Sequence, residues 1–272
     1  MMLGPFSLDT YLPAFPAIAA SLGISTQQVA LSVSVYIFAL AFGMLIGGAL
    51  SDRYGRKPIL AIGLLIYVAA SLALAASTSL ELLLGGRALQ ALGGGWALVS
   101  VPALVRDRVE GVAAAKLFSL LGLVMVLAPG IAPTLGGALL QVGPWNLIFV
   151  FLALYGLLLI PLLARGVFVT SRAADPAPPA EEATSLLGRY LEVLRHPTAL
   201  PFIAWQVGAF SVMMLFVTHG SFIYQEHFGQ SEGAFGALFA VNVGAMFLCN
   251  LLNRALLSRI PVLRLLQGAT IA

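Results

Sequence analysis

An all-α integral membrane fold is predicted from three observations: composition, the length of the apolar runs and the placement of the cations. The 272 residues are 60% hydrophobic and 9% charged, with a mean hydropathy of +0.99. A soluble domain of this length needs far more charge to cover its surface. Apolar runs of about 20 residues recur along the chain, long enough to cross a ~30 Å hydrocarbon core as helix. Strands would need short alternating segments, and none is evident in the sequence. The single cysteine, Cys249, lies in an apolar run and allows no disulfide within the chain. Residues 1–22 lack the basic n-region of a secretory signal peptide.

Eight spans are expected, over residues 2–21, 27–50, 59–77, 82–105, 114–140, 145–165, 199–221 and 233–257, and a further run begins near Leu263. The connections between them differ in charge. Arg53, Arg56 and Lys57 follow span two, and Arg106, Arg108 and Lys116 lie around the join of spans four and five. Arg165, Arg172, Arg189 and Arg195 fall between six and seven, and Arg254, Arg259 and Arg264 follow span eight. These alternate connections hold all of the 14 Lys and Arg residues except Arg87. The opposite connections hold Glu81, Glu226 and Glu232. By the positive-inside rule the basic set is cytoplasmic, which places the N-terminus inside as well.

The long connection from residue 166 to residue 198 contains DPAPPAEEA (Asp175 to Ala183), the composition of an extended linker. SLLGRYLEVLRHP (Ser185 to Pro197) follows, with apolar residues at helical spacing that suit a membrane surface. The plan is a six-helix bundle over 1–165, a cytoplasmic linker with a surface helix over 166–198, and the start of a second bundle over 199–272. LLSRIPVLRLL after span eight weakly echoes LSDRYGRKPIL after span two, as parallel repeats of two halves would.

Two charges fall within spans. Asp9, in FSLDTYLPAFP, lies about 18 Å from the far end of span one, near the midplane. Insertion there costs roughly 2.5–3.5 kcal/mol, so such a residue faces a cavity or a partner. A carboxylate held out of water favours its neutral form, which suits proton binding and release. Its structural alternative is to bond backbone freed by Pro13 and Pro16. Arg87 lies about 8 Å inside span four, close enough to the interface to snorkel outward or to turn inward. Tyr11, Tyr36, Gln206 and Asn242 are candidate cavity-lining polar groups by depth, and His219 reads as an interfacial residue.

GALSDRYGRKPIL (Gly48 to Leu60) joins spans two and three. Gly48 allows close helix approach, Gly55 a tight turn, and Pro58 suits the first turn of the next helix. Asp52 has Arg53 and Arg56 within pairing distance, and Lys57 adds to the charge. In span five, Ala128, Ala132 and Gly136 form a small-residue stripe, with Gly137 following and Pro129 and Pro133 on the adjacent stripe.

The first of these segments resembles, nearly position for position, the G-x-L-a-D-R-x-G-R-K loop of the major facilitator superfamily. RALQALGGG (Arg87 to Gly95, with Gln90 and Gly93) resembles its span-four motif R-x-x-Q-G-x-G, although Ala91 replaces a glycine. GLVMVLAPGIAPTLGG (Gly122 to Gly137) resembles the span-five motif of proton-driven antiporters, with Ala128 in place of a glycine. With SLDTYLPAFP and VRD (Val105 to Asp107), the chain is similar to the Bcr/CflA-type drug-resistance subfamily.

The resemblance implies a complete six-helix half and a partial second half of a twelve-span bundle, and therefore a clipped chain. It implies proton-coupled efflux of drug-like small molecules across the inner (plasma) membrane, with an inward Arg87 taking part in coupling. It also implies that the span-two–three loop gates and that the span-five motif seals the cavity. Metabolite or sugar transport within the same superfamily, and a non-transporting truncated membrane protein, remain the alternatives.

Other classes lack their residues. There is no H-E-x-x-H helix, no G-x-S-x-G and no cysteine–histidine cluster, so neither an enzyme nor a metal site is expected. No phosphate-binding G-x-x-x-x-G-K-[ST] loop and no filter-like loop is present. The expected partners are a small-molecule substrate, protons and the lipid bilayer, with no cofactor and no nucleic acid.

Overall fold

The computed structural model describes residues 2–165, 186–197, 199–222 and short stretches between 228 and 256. Every regular element among these residues is helical. Span one is α1 (Leu3–Asp9), a 3-10 turn (Leu12–Ala14) and α2 (Phe15–Leu22). Then follow α3 (Thr26–Tyr54), α4 (Arg56–Ala75), α5 (Leu80–Arg108), α6 (Gly111–Val142) and α7 (Asn146–Leu163). After the linker come α8 (Leu186–Arg195) and α9 (Ala199–Phe222). Two compact units result, one built from α1–α7 and one holding α8 and α9. Expected span eight lies largely outside the described residues.

By length and composition, α3, α4, α5 and α7 are each able to cross a membrane. Their starts are written locally. Ser25 caps α3 by accepting from the Gln28 N–H, while the Gln28 side chain accepts from the Ser25 N–H, a reciprocal capping box. Ser79 caps α5 by accepting from the Leu82 N–H. Asn146 opens α7 and donates to the Ala75 carbonyl at 2.6 Å, tying it to the end of α4. The turn from α3 to α4 rests on Gly55, whose φ of +94° is open to glycine and strained for other residues.

Span one departs from the single helix expected over residues 2–21. Pro13 and Pro16 have no N–H for the carbonyls of Asp9 and Leu12, so the α-helical ladder stops and restarts. The last helical bond of α1 runs from the Thr10 N–H to the Phe6 carbonyl. The next carbonyl, that of Ser7, is left without its Tyr11 donor.

α5 packs against both α3 and α4, α7 against α4, and α6 against α1. The glycine run of α5 makes this approach feasible. A Cβ at Gly93 would stand 2.6 Å from the Gly63 carbonyl oxygen and from the Tyr67 nitrogen of α4. One at Gly95 would stand 2.9 Å from the Leu40 oxygen and the Met44 nitrogen of α3. Backbone therefore meets backbone on two sides of one helix, as small-residue faces allow. Close approach on α3 is seen at Gly43 and Gly47, which meet Leu92 and Trp96 of α5. Gly48 is half-buried and its carbonyl accepts from Ser51.

An apolar core of Leu60, Leu64, Tyr67, Leu74, Ile148 and Phe149 joins α4 to α7 and receives α1 through Leu3 and Phe6. Leucine and phenylalanine on the outward faces of α3, α4 and α7 are exposed, as lipid-facing helices require.

Replacing Gly93 with Ala should lower the unfolding free energy in detergent by about 1–3 kcal/mol, because overpacked backbone contacts have no side chain to move. Gly85→Ala, where nothing lies within 4 Å of the added carbon, should be neutral or slightly stabilising. Thermal unfolding of the two variants side by side checks the contrast.

Candidate functional site

Arg87 turns inward. It is fully buried, seven residues inside the α5 start, between α1, α3 and α4. Its guanidinium carbon lies 4.6 Å from the ring centre of Tyr11 and 4.2 Å from that of Tyr36. Nη1 donates to the Ser7 carbonyl at 2.9 Å and to Gln90 Oε1 at 2.8 Å. The Ser7 carbonyl is the one released by the break in span one, at the negative end of α1. Arg87 forms no ion pair with a carboxylate among the described residues. Its Nε and Nη2 hydrogens meet no acceptor among the described residues.

Holding an ion this deep costs several kcal/mol. Two desolvated cation–π contacts of about 2 kcal/mol each, together with the charged hydrogen bonds, offset that cost. The balance explains why Tyr11 and Tyr36 flank the ion as aromatic faces as well as polar groups.

Hydroxyls complete the surroundings. The Ser7 hydroxyl donates to the Leu3 carbonyl at 2.6 Å, so the Tyr67 hydroxyl, also at 2.6 Å, is the donor to Ser7. In the same way Ser32 donates to the Val29 carbonyl and accepts from Tyr11 at 2.9 Å. The Tyr36 hydroxyl and Thr10 Oγ1 are buried without a hydrogen-bond partner among the described residues. Tyr36 therefore adds an uncommitted polar group beside the uncommitted edge of Arg87.

Asp9 is the last residue of α1 and half-buried. No ion pair joins it to Arg87 among the described residues. Next to it, Gly136 of α6 touches the break: a Cβ there would collide with the Thr10 carbonyl oxygen. Ala128 and Ala132 are fully buried on the same α6 stripe, while Pro133 and Gly137 are half-buried beside it. Pro129 lies in α6.

The other cluster lies where α3 gives way to α4. Arg56 donates Nε to Asp107 at 3.0 Å and Nη1 to Ser51 at 2.9 Å, and pairs with Asp52 as well. One guanidinium thus joins the ends of α3, α4 and α5. Arg53 lies over the Tyr54 ring at 5.3 Å, so Asp52 takes Arg56 as its partner. Lys57 is half-buried at the start of α4.

Gln206 is exposed on α9, and Asn242 is exposed in a short helical stretch, both in the second unit. His219 lies in α9. Sequence reasoning missed Ser7, Ser32, Tyr67 and Ser71, because a serine in an apolar helix satisfies its own hydroxyl on a preceding carbonyl and leaves no pattern.

These features define a multi-pass α-helical membrane protein with a buried cation at an interrupted first span. The chain belongs to the Major Facilitator Superfamily, which it matches over residues 1–272. It is 30% identical to a "Bicyclomycin resistance protein homolog" of Haemophilus influenzae, over 98% of this chain and 67% of that protein. It is 31% identical to the "Multidrug resistance protein MdtL" of Escherichia coli O139:H28 and of Shigella boydii serotype 18, over 90% of this chain and 61% of theirs. The chain thus spans between 61% and 67% of the length of these relatives.

Replacing Arg87 with Met keeps the bulk and removes the buried charge. Stability should fall by no more than about 1–3 kcal/mol, because the Ser7 carbonyl and Gln90 Oε1 lose their donor while the cost of the buried charge is removed. A large loss of thermal stability would show that the ion is held for structure alone.

Proposed function

We propose that the protein is a proton-coupled secondary transporter that exports drug-like small molecules by alternating access. The observation that carries this reading is a fully buried guanidinium without a carboxylate partner, beside a half-buried carboxylate at a break in span one. An ion held at such expense inside a membrane protein serves a transported charge more readily than it serves stability. The names of the relatives, resistance proteins for bicyclomycin and for multiple drugs, support the substrate class.

In this reading Asp9 carries the proton. When Asp9 is neutral, Arg87 rests on the Ser7 carbonyl and the tyrosine faces. When Asp9 loses its proton, the new carboxylate has the uncommitted Nε and Nη2 edge of Arg87 as its acceptor-seeking partner, and the turn between α1 and α2 supplies the freedom to move. The contact of Gly136 with Thr10 passes that movement to α6. The Arg56 cluster then opens or closes the ends of α3, α4 and α5 as the cavity changes sides.

The plan of a bundle over 1–165, a linker over 166–198 and the start of a second bundle over 199–272 fits this reading. So does insertion in the inner membrane with the N-terminus cytoplasmic, as the cation distribution supports. Lipid, protons and a small-molecule substrate are the partners.

Inverted membrane vesicles containing the protein should release trapped protons when bicyclomycin or ethidium is added. Asp9→Asn and Arg87→Met should each reduce that release at least about tenfold, the loss expected when a transferring group is removed. Unchanged release from Asp9→Asn would end the assignment of Asp9 as the proton carrier.

A further inference from the structure

We propose that Ser71 is a positioning residue for Arg87, acting through the side-chain amide of Gln90. Ser71 lies on α4, four residues past Tyr67, and is fully buried, as is Gln90 on α5. The Ser71 hydroxyl has one proton, and it donates that proton to the Tyr67 carbonyl at 2.7 Å. Its oxygen can then only accept. Gln90 Nε2 donates to it at 2.8 Å. The amide is therefore turned so that Oε1 faces Arg87, whose Nη1 lies 2.8 Å away.

Both ends of the amide agree on this orientation. Arg87 has donors only, so the group facing it must be the carbonyl oxygen. The Ser71 oxygen has no proton left, so the group facing it must be the amide nitrogen. A reversed amide would set donors against a buried cation and leave its oxygen facing a lone pair. The orientation begins at the Tyr67 carbonyl of α4, passes through Ser71, Gln90 and Arg87, and ends on the Ser7 carbonyl of α1.

Consequences follow for the guanidinium. With Nη1 committed to Gln90 and Ser7, the Nε and Nη2 edge is the one left uncommitted. Loss of the Ser71 acceptor frees the amide to turn, and Arg87 then loses the contact that selects which edge is spent. Ser71 touches neither Arg87 nor Asp9 by any hydrogen bond, so it acts at one remove. The effect on transport rests on the proposed coupling role of Arg87, whereas the effect on Arg87 itself does not.

The test measures how fast phenylglyoxal modifies Arg87 in the membrane-embedded protein, resolved by peptide mass spectrometry, with Arg56 as internal control. Arg87 should react slowly in the parent and in Ser71→Thr, which keeps a hydroxyl. In Ser71→Ala and Gln90→Leu it should react about tenfold faster, as for loss of one buried hydrogen-bond partner. The double variant should be no faster than Gln90→Leu alone. A parent-like rate in Ser71→Ala, or effects that multiply in the double variant, would overturn the proposal. If Ser71→Ala fails to fold, Ser71→Cys keeps the volume, weakens the acceptor and carries the same expectation.

In vesicles, the pH profile of proton release should shift in Ser71→Ala and return in Ser71→Thr. A parent protein that releases no protons would count against the transport reading alone, because the labelling rates still decide the role of Ser71.

Discussion

A guanidinium buried between two tyrosine rings, with no carboxylate paired to it among the described residues, sets the terms for the rest of this bundle. It needs acceptors, and the Ser7 carbonyl and Gln90 Oε1 supply them to Nη1. In span one α1 ends ahead of Pro13 and Pro16, and the Ser7 carbonyl near its end meets Arg87. The break and the buried ion are therefore one feature seen from two helices.

α5 is the member on which this depends, and it is held along its length by three unlike means. Near its start, Arg87 and Gln90 reach α1 and α4 by hydrogen bonds. In its middle, Gly93 and Gly95 bring its backbone against those of α4 and α3. At its end, Asp107 meets Arg56 at the α3–α4 turn. The middle contacts are rigid because no side chain stands between the backbones. The terminal pair is half-exposed and worth little to stability, which suits a contact that forms and breaks.

The faces of span one divide along the same lines. Leu3 and Phe6 enter the apolar core with α4 and α7, Ser7 bonds to Tyr67, and Tyr11 belongs to both sides, packing on Phe149 and under Arg87. The carbonyl beyond the break, that of Thr10, lies against Gly136 of α6, where any larger residue would collide. A glycine in the span-five motif thus has a packing reason that coincides with the role expected for it.

What the sequence determined by itself was the membrane, the all-helical class and the unequal charge of alternate connections. Each rests on sums over many residues, such as runs of apolar side chains and alternate basic connections, which no single contact can reverse. It also marked Asp9 and Arg87, because a charge inside an apolar run needs a reason. Tertiary structure alone decided which way Arg87 faces, since a residue near a helix end can snorkel or turn inward at similar cost. It set the close approach of α3 to α5 at Gly43 and Gly47, because rotation about a long helix is set by its neighbours and not by its own residues. It also recruited Ser7, Ser32 and Ser71, whose hydroxyls are silent in sequence until another helix brings a tyrosine, a glutamine or an arginine within 3 Å.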